Sequence, residues 1–241
     1  MARSTIRVLL DNRLSQVNAS TTANSLNDYR SKYDTGTTFT LTTNLALTGT
    51  VAVVAVLTDA EGPVTMTVAG LGSSTDSTTS SFTGQTVGYG SGKYIAKYFT
   101  LDAGTSSFTV GFSTTVKVSR FIVGNYWAPK YDVGFGMQVG YQDASVYERS
   151  MAGDQLVTIA PRYKQLSFTL ELVDPTDKLF LYKLFRIAGK SIPLFVSLFP
   201  ENTDNQKEQY YSIYGKLSEP GSISYARYNA YNAGTISLEE I

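Results

Sequence analysis

The strongest constraint on the fold is an alternation of apolar and polar residues in the first quarter of the chain. Apolar residues of one parity stand at Phe39, Leu41, Leu45 and Leu47, and the segment 51–57 that follows is almost continuously apolar. A period of two is typical of a half-buried strand, whereas a short continuous apolar run is typical of a strand buried on both faces. The pattern therefore predicts that this half of the chain folds as β-strands.

Further short strands are predicted up to residue 123. Apolar or alternating segments lie at 64–68, 94–101, 108–112 and 116–123, with turn signals at 59–63 and 102–104. The stretch 70–92 is rich in Ser, Thr and Gly and is predicted to be a long loop that contains one irregular strand. Short strands separated by turns at these intervals indicate a β-sandwich or jelly roll.

The character of the chain changes at residues 124–129. Charged and aromatic residues become denser there, and 12 of the 17 tyrosines lie from Tyr126 onward. We therefore predict a mainly β protein of two β-sandwich domains. Residues 1–123 form an N-terminal jelly roll, and residues 124–241 form an antiparallel β domain with one α-helix near 175–188.

The signals for that helix are specific. Asp174 is a predicted N-cap, Pro175 occupies the first helical position, and Gly189 can end the helix in the left-handed conformation. Apolar residues recur at helical spacing at Leu181, Leu184, Phe185 and Ala188. Strands are predicted at 166–172, 194–199, 210–217 and 235–238, and a polar loop at 200–209.

Composition excludes several classes of function. The chain has neither Cys nor His, so it lacks thiol chemistry, the serine-triad base and the commonest metal ligand. Twenty basic residues balance 20 acidic ones, which does not fit a protein that binds nucleic acid through phosphate neutralisation. No stretch approaches the roughly 20 apolar residues of a membrane span. We expect no enzymatic activity, no cofactor, no nucleic acid and no membrane partner.

Three weaker motifs have ordinary structural explanations. The segment 134–140 contains three glycines but lacks the spacing of a nucleotide-binding loop, so a strand with close backbone approaches is favoured. Adjacent Glu239 and Glu240 point to opposite faces of a strand and cannot act as a glycosidase pair. The carboxylates that remain for such a pair are Glu148, Glu171 and Asp143. The oxygen-bearing residues considered for calcium are Asp11, Asn12 and Asp28, for which turn and capping roles are favoured.

Aromatic residues supply the candidate interface. Trp127, the only tryptophan, follows Tyr126, and the two are interpreted as a buried or interface anchor in preference to a sugar platform. Tyrosine is enriched at protein interfaces because it offers a large contact area at low entropic cost. The candidate subunit-contact residues are Tyr126, Trp127, Tyr210, Tyr214, Tyr225 and Tyr228. An ordinary role in the core or on the surface remains open for the tyrosines.

The second half of the chain resembles structural proteins of bacteriophage tails. The features that carry the resemblance are the segments 124–129, 148–150 with Gly153, 161–163, 174–189, 193–200, 213–217 and 238–241. They are similar to the distal-tail type of minor tail protein, found at the tail tip or baseplate. Residues from about Ser4 to Val123 resemble a galactose-binding-like (discoidin) sandwich, although none of that family's sugar or calcium residues can be matched.

The resemblance implies a structural component of the virion tail. Such a protein would assemble as a homo-oligomeric ring, trimeric or hexameric, and join the tail tube or hub to the tip, fibre or receptor-binding parts. The start of the chain has too short an apolar run for a secretory signal, so we expect synthesis and assembly in the host cytoplasm. The alternative function is a carbohydrate-binding adsorption module that recognises host surface glycans. That alternative requires an exposed aromatic platform with polar neighbours on the first domain.

Overall fold

The protein is mainly β, as predicted from the sequence. The computed structural model describes residues 6–29, 31–58, 62–71, 74–82, 93–201, 205–219, 221–227 and 230–241. The strands are β1 (Arg7–Leu9), β2 (Leu14–Val17), β3 (Asp34–Leu57), β4 (Gly62–Leu71), β5 (Ser74–Phe82), β6 (Lys93–Trp127), β7 (Gln138–Asp143), β8 (Val146–Arg149), β9 (Gln155–Thr158), β10 (Arg162–Val173), β11 (Leu194–Ser197), β12 (Ser212–Leu217), β13 (Ile223–Arg227) and β14 (Ala230–Glu240). The helices are a short 3-10 helix (Asn24–Leu26), α1 (Pro175–Ala188) and α2 (Asn205–Tyr210).

Antiparallel pairing connects the two halves of the chain. The strands follow the order β2-β3-β6-β1-β11-β12-β14-β10-β7, with β4 and β5 attached beside β6 and β13 beside β14. Strands β8 and β9 pair only with each other within the described residues. The two ends of the main path are β2 and β7, so β7 presents one hydrogen-bonding edge that the described chain does not pair.

The apolar run 51–57 is the centre of the first half, as its composition predicts. It pairs on one side with residues 93–99 and on the other with residues 118–125, both within β6. Its odd-numbered residues lie in the core of the first half, and Ala52, Val54 and Val56 lie in a second cluster on the opposite face. Both faces of the segment are therefore buried.

Some local expectations were wrong because strand pairing overrides the local pattern. Leu45 shares the parity of Phe39 and Leu41 but is exposed, because the register of β3 against β6 shifts between Thr42 and Leu47. Strand β6 continues through the turn predicted at 102–104. The predicted loop 70–92 contains the regular strand β5 opposite β4, and residues 83–92 lie outside the described ranges.

Strand β1 joins the two halves. Val8 and Leu9 pair with Trp127 and Tyr126 of β6, and β1 also pairs along its other edge with β11. The side chains of Ile6 and Val8 lie in the core formed mainly by residues 133–238. The chain thus contributes its first described strand to the core of the second predicted domain. The division at residues 123 and 124 remains a prediction.

Helix α1 has the predicted bounds. The side chain of Asp174 accepts a hydrogen bond from the backbone N–H of Thr176 at 3.1 Å, and Gly189 follows the helix with a φ of 46°. Leu181, Leu184 and Ala188 are buried against the sheet. The capping residues and the apolar spacing therefore agree with the observed helix at both ends.

The side chain of Trp127, at the end of β6, anchors helix α1 to the sheet. Its indole stacks on Phe180 with ring centroids 4.5 Å apart, and its Nε1–H donates to Asp177 Oδ1 at 2.9 Å. Asp177 is buried and also accepts from the backbone N–H of Lys130 at 2.9 Å. Trp127 is thus an anchor within the chain.

We expect Trp127→Phe to lower the free energy of unfolding by about 2 kcal/mol. Phenylalanine keeps the stacking on Phe180 but removes a donor from a buried carboxylate, and hydrogen bonds to charged groups contribute about 1.5–3 kcal/mol. Urea denaturation measures the loss, with Tyr182→Phe on the exposed face of α1 as the control. A loss no larger than that of the control would contradict the anchoring role.

The segment 200–209 contains a helix where a polar loop was expected. Helix α2 begins at Asn205 and ends at Tyr210, so the described part of this half contains an α-helix in addition to the predicted one. Gln, Lys and Glu are good helix formers, and they make up residues 206–209. The side chain of Glu208 is held over the junction between the halves, where Tyr98 and Ser197 donate to Oε1 at 3.3 and 3.5 Å.

Glu208 makes the junction sensitive to pH. Burial raises the pKa of Glu208 from 4.5 to about 7, against the opposing effect of the Tyr98 hydrogen bond and of nearby Arg7. Between pH 4.5 and about pH 7, Glu208 holds a proton in the folded chain that it releases in the unfolded chain. This contribution to stability is therefore complete below about pH 4.5 and is lost as the pH rises through 7.

We expect the protein to be more stable at pH 5 than at pH 8, by up to about 3 kcal/mol from this group. Glu208→Gln removes the titration and should flatten the dependence between these values. Urea midpoints of both proteins at each pH measure the difference. An unchanged pH dependence in the variant would assign the effect to other groups.

Candidate assembly surface

The most unusual surface feature is a β-hairpin that projects without a core of its own. We call residues 146–158, comprising β8, β9 and their turn, the hairpin arm. Direct partners across it are Val146 with Thr158, Tyr147 with Val157, and Glu148 with Leu156. Partners in an antiparallel pair share a face. One face therefore carries Tyr147 and Val157, and the other carries Val146 and Leu156.

Both apolar faces of the arm are open to solvent. Tyr147 is 71% exposed and Leu156 is 60% exposed, and Val146 and Val157 are also exposed. Every described residue of β8 and β9 is exposed. An isolated two-stranded hairpin is marginally stable in water, and clustered exposed apolar residues mark interaction surfaces. The arm has the chemistry of a segment that is covered in an assembly.

The base of the arm is fixed to the sheet. Asp143 Oδ1 accepts from the backbone N–H of Ser145 at 2.9 Å, and Asp143 Oδ2 accepts from Arg162 Nε at 2.8 Å. The Ser145 hydroxyl accepts a hydrogen bond from the backbone N–H of Ala160 at 3.0 Å, which joins the two segments that lead into and out of the hairpin. Hydrogen bonds from Ser145 and Arg162 lower the pKa of Asp143 to about 2. These contacts hold the direction in which the arm leaves the sheet.

The tip is a defined turn. The backbone N–H of Ser150 donates to Asp154 O at 2.8 Å, and the backbone N–H of Asp154 donates to the Ser150 hydroxyl at 3.1 Å. Gly153 has a φ of 89°, a conformation that favours glycine. Met151 at the tip is fully exposed. The arm therefore ends in a flexible apolar side chain on an ordered turn.

The free edge of β7 adjoins the arm and extends the same surface. Strand β7 pairs with β10 on one side only within the described residues. Tyr141 on this strand and Phe135 just before it are exposed. An unpaired strand edge is a template for pairing with another chain. We call β7 and the hairpin arm together the assembly surface.

The aromatic residues predicted as an interface fall into three groups. Tyr126 packs edge-on against Tyr98 and lies under the guanidinium of Arg7, and Trp127 anchors helix α1. Tyr214 is only 5% exposed, and its hydroxyl donates to Asp28 Oδ1 at 2.9 Å across the junction. These three tyrosine and tryptophan side chains make contacts within the chain.

The remaining candidates lie apart from one another. Tyr210 is exposed and ends helix α2, so the strand that was predicted to begin at residue 210 begins at Ser212 instead. Tyr225 is exposed on β13 and packs edge-on against Tyr231. Tyr228 lies outside the described residues. The subunit contacts assigned to these tyrosines remain predictions.

The strands of the hairpin arm were not predicted from the sequence. The signal was present, since two four-residue segments with β-branched or aromatic residues flank a turn that contains Gly153. It was missed because each segment is short and neither shows a long alternation. Exposure of both faces depends on the tertiary structure, which the pattern alone does not give.

The weaker motifs occupy ordinary positions. A Cβ on Gly134 would lie 2.9 Å from side-chain atoms of Glu171, which explains the glycine by close approach. Asn12 caps a turn, because its Oδ1 accepts from the backbone N–H of Leu14 at 3.3 Å, and the same oxygen ties the turn to β6 by accepting from the backbone N–H of Val123 at 2.9 Å. Within the described ranges, no group of three or more acidic side chains is arranged to hold a metal ion.

Comparisons with protein families, with curated proteins and with solved structures find no match to this chain. Among the described residues, no helix has the length and apolar character needed to span a membrane.

Proposed function

We propose that this chain is a structural component of a bacteriophage tail tip or baseplate. In this proposal it assembles as a ring of identical copies and joins the tail tube or hub to the tip, fibre or receptor-binding parts. It would be made and assembled in the host cytoplasm and reside in the virion tail. Its work would be done by interfaces, without catalysis or a cofactor.

The observation that carries the proposal is the hairpin arm. An arm with apolar residues on both faces gains stability when it is inserted between two surfaces, and its fixed base gives each copy the same direction of reach. A head-to-tail contact of this kind, between the arm of one copy and a different surface of the next, closes into a ring when the rotation per copy allows it. The zero formal net charge of the chain lowers the repulsion between copies.

The proposed location of the assembly, at the tail tip or baseplate, comes from the resemblance of residues 120–241 to distal-tail-type proteins. A mainly β fold with a helix such as α1 is what the resemblance to that type of protein implies. The proposed position in the virion rests on the resemblance.

Sedimentation velocity of the purified chain over a wide range of concentrations tests ring formation. We expect a discrete closed species of three or six copies that stays the same size as the concentration rises. A chain that remains monomeric throughout, or that grows without limit, would contradict a closed ring.

A further inference from the structure

A groove opens where the two halves of the chain meet. It has an open volume of about 740 Å³ and lies between the loop after the 3-10 helix, strand β6 and strand β12. The polar and aromatic side chains that line it are Asn27, Asp28, Tyr29, Ser31, Arg120 and Lys216. This site is separate from the assembly surface, because it contains no residue of β7 or of the hairpin arm.

Side chains from both halves of the chain hold the loop that forms one wall of the groove. The guanidinium of Arg120 donates to the carbonyl of Leu26 and pairs with Asp28 Oδ1 at 3.3 Å. The hydroxyl of Tyr214 donates to the same Oδ1 at 2.9 Å. Because both contacts use Oδ1 and the Asp28 side chain is 46% exposed, Oδ2 is available to accept from a ligand. The loop is thus positioned before any ligand enters.

Tyr29 gives the groove an exposed aromatic platform. It is 65% exposed, and the ammonium of Lys32 lies 5.4 Å from its ring centroid. An aromatic ring with an apolar face beside carboxylate, amide and hydroxyl groups matches a pyranose, which has a C–H face and a rim of hydroxyls. Glycan binding requires this combination of a platform and polar neighbours.

The charges in the groove favour an acidic ligand. The cations that line the groove are Arg120, which pairs with Asp28, and Lys216. Among the described residues the ammonium of Lys216 has no hydrogen bond or ion pair. A cation that makes no ion pair within the chain attracts a negative group on the ligand. A carboxylate on the sugar would satisfy it.

We propose that this groove binds a saccharide unit that carries a carboxylate, of the uronic acid class. The sugar ring stacks on Tyr29, its hydroxyls bond to Asp28 and its neighbouring polar side chains, and its carboxylate faces Lys216. This activity goes beyond assembly and does not depend on ring formation. It gives the chain a means of contacting an acidic glycan through the junction of its two halves.

Nuclear magnetic resonance titration with methyl glucuronide and methyl glucoside tests the proposal. We expect shifts of the backbone amides of the groove, with weak affinity and a preference of about threefold or more for the charged sugar at low salt. Tyr29→Ala should weaken both sugars by roughly fivefold or more. Lys216→Met should remove the preference and leave binding of the uncharged sugar intact.

Tyr225→Ala is the matched control, because Tyr225 is another exposed tyrosine away from the groove. It should leave both affinities unchanged. Absence of shifts at the groove, equal affinity for the two sugars, or full binding by the Tyr29→Ala variant would each overturn the proposal. Unfolding midpoints equal to that of the parent protein establish that the variants are folded.

Discussion

Aspartate at both Tyr147 and Leu156 is expected to abolish self-association of the chain and to leave the unfolding midpoint of the monomer unchanged. The two residues lie on opposite faces of the hairpin arm and are exposed in the single chain, so the folded monomer loses nothing that it buries. In the assembly, each substitution places a charge in an apolar contact. Central interface residues contribute about 2 kcal/mol or more, so the pair should weaken association about a thousandfold.

Leu179→Asp with Tyr182→Asp is the matched control. These two residues are also a leucine and a tyrosine, and both are exposed on helix α1. Sedimentation velocity should show assembly in the control and only monomer in the arm variant. Equal assembly of the two variants would show that the arm is not the contact between copies.

Replacement of Glu240 by leucine is expected to lower the free energy of unfolding by about 3–5 kcal/mol. Glu240 is buried, accepts a hydrogen bond from the hydroxyl of Tyr94, and accepts from the backbone N–H of Lys164 at 2.9 Å through Oε2. The ammonium of Lys164 is buried beside them, 5.3 Å from the Tyr94 ring centroid. Loss of the carboxylate removes the acceptor of the buried Tyr94 hydroxyl and of the Lys164 backbone N–H, and a buried donor that loses its acceptor is costly.

Glu239→Leu is the control, because the neighbouring side chain points to the other face of β14. Glu239 Oε1 accepts from Gln165 Nε2 at 3.1 Å and is only partly buried. Its replacement should cost about 1 kcal/mol or less. Urea denaturation of both variants measures the difference. A similar loss in the two would contradict a specific role for the buried cluster.

Local signals predicted the elements that depend on local chemistry. Helix α1 is encoded by a cap, a first-turn proline, apolar spacing and a terminal glycine within 16 residues, and its bounds follow from them. The segment 51–57 is apolar on both faces and is buried on both faces. In each case the residues themselves determine which surface must be covered.

Elements that depend on distant partners could not be predicted in the same way. The exposure of Leu45 follows from a register shift against β6, and the position of β1 follows from pairing with β6 and with β11, almost 190 residues later. The candidate surfaces show the same limit. Tyr214 was proposed for contact between subunits, but packing of the two halves buries it against the loop of Asp28.

Electron cryomicroscopy of purified phage particles that contain this chain tests the central claim most directly. The account predicts a threefold or sixfold ring of the chain at the distal end of the tail, with the hairpin arm of each copy between neighbouring copies. Absence of the chain from the particles, or its presence with the arm facing solvent in every copy, would contradict the account.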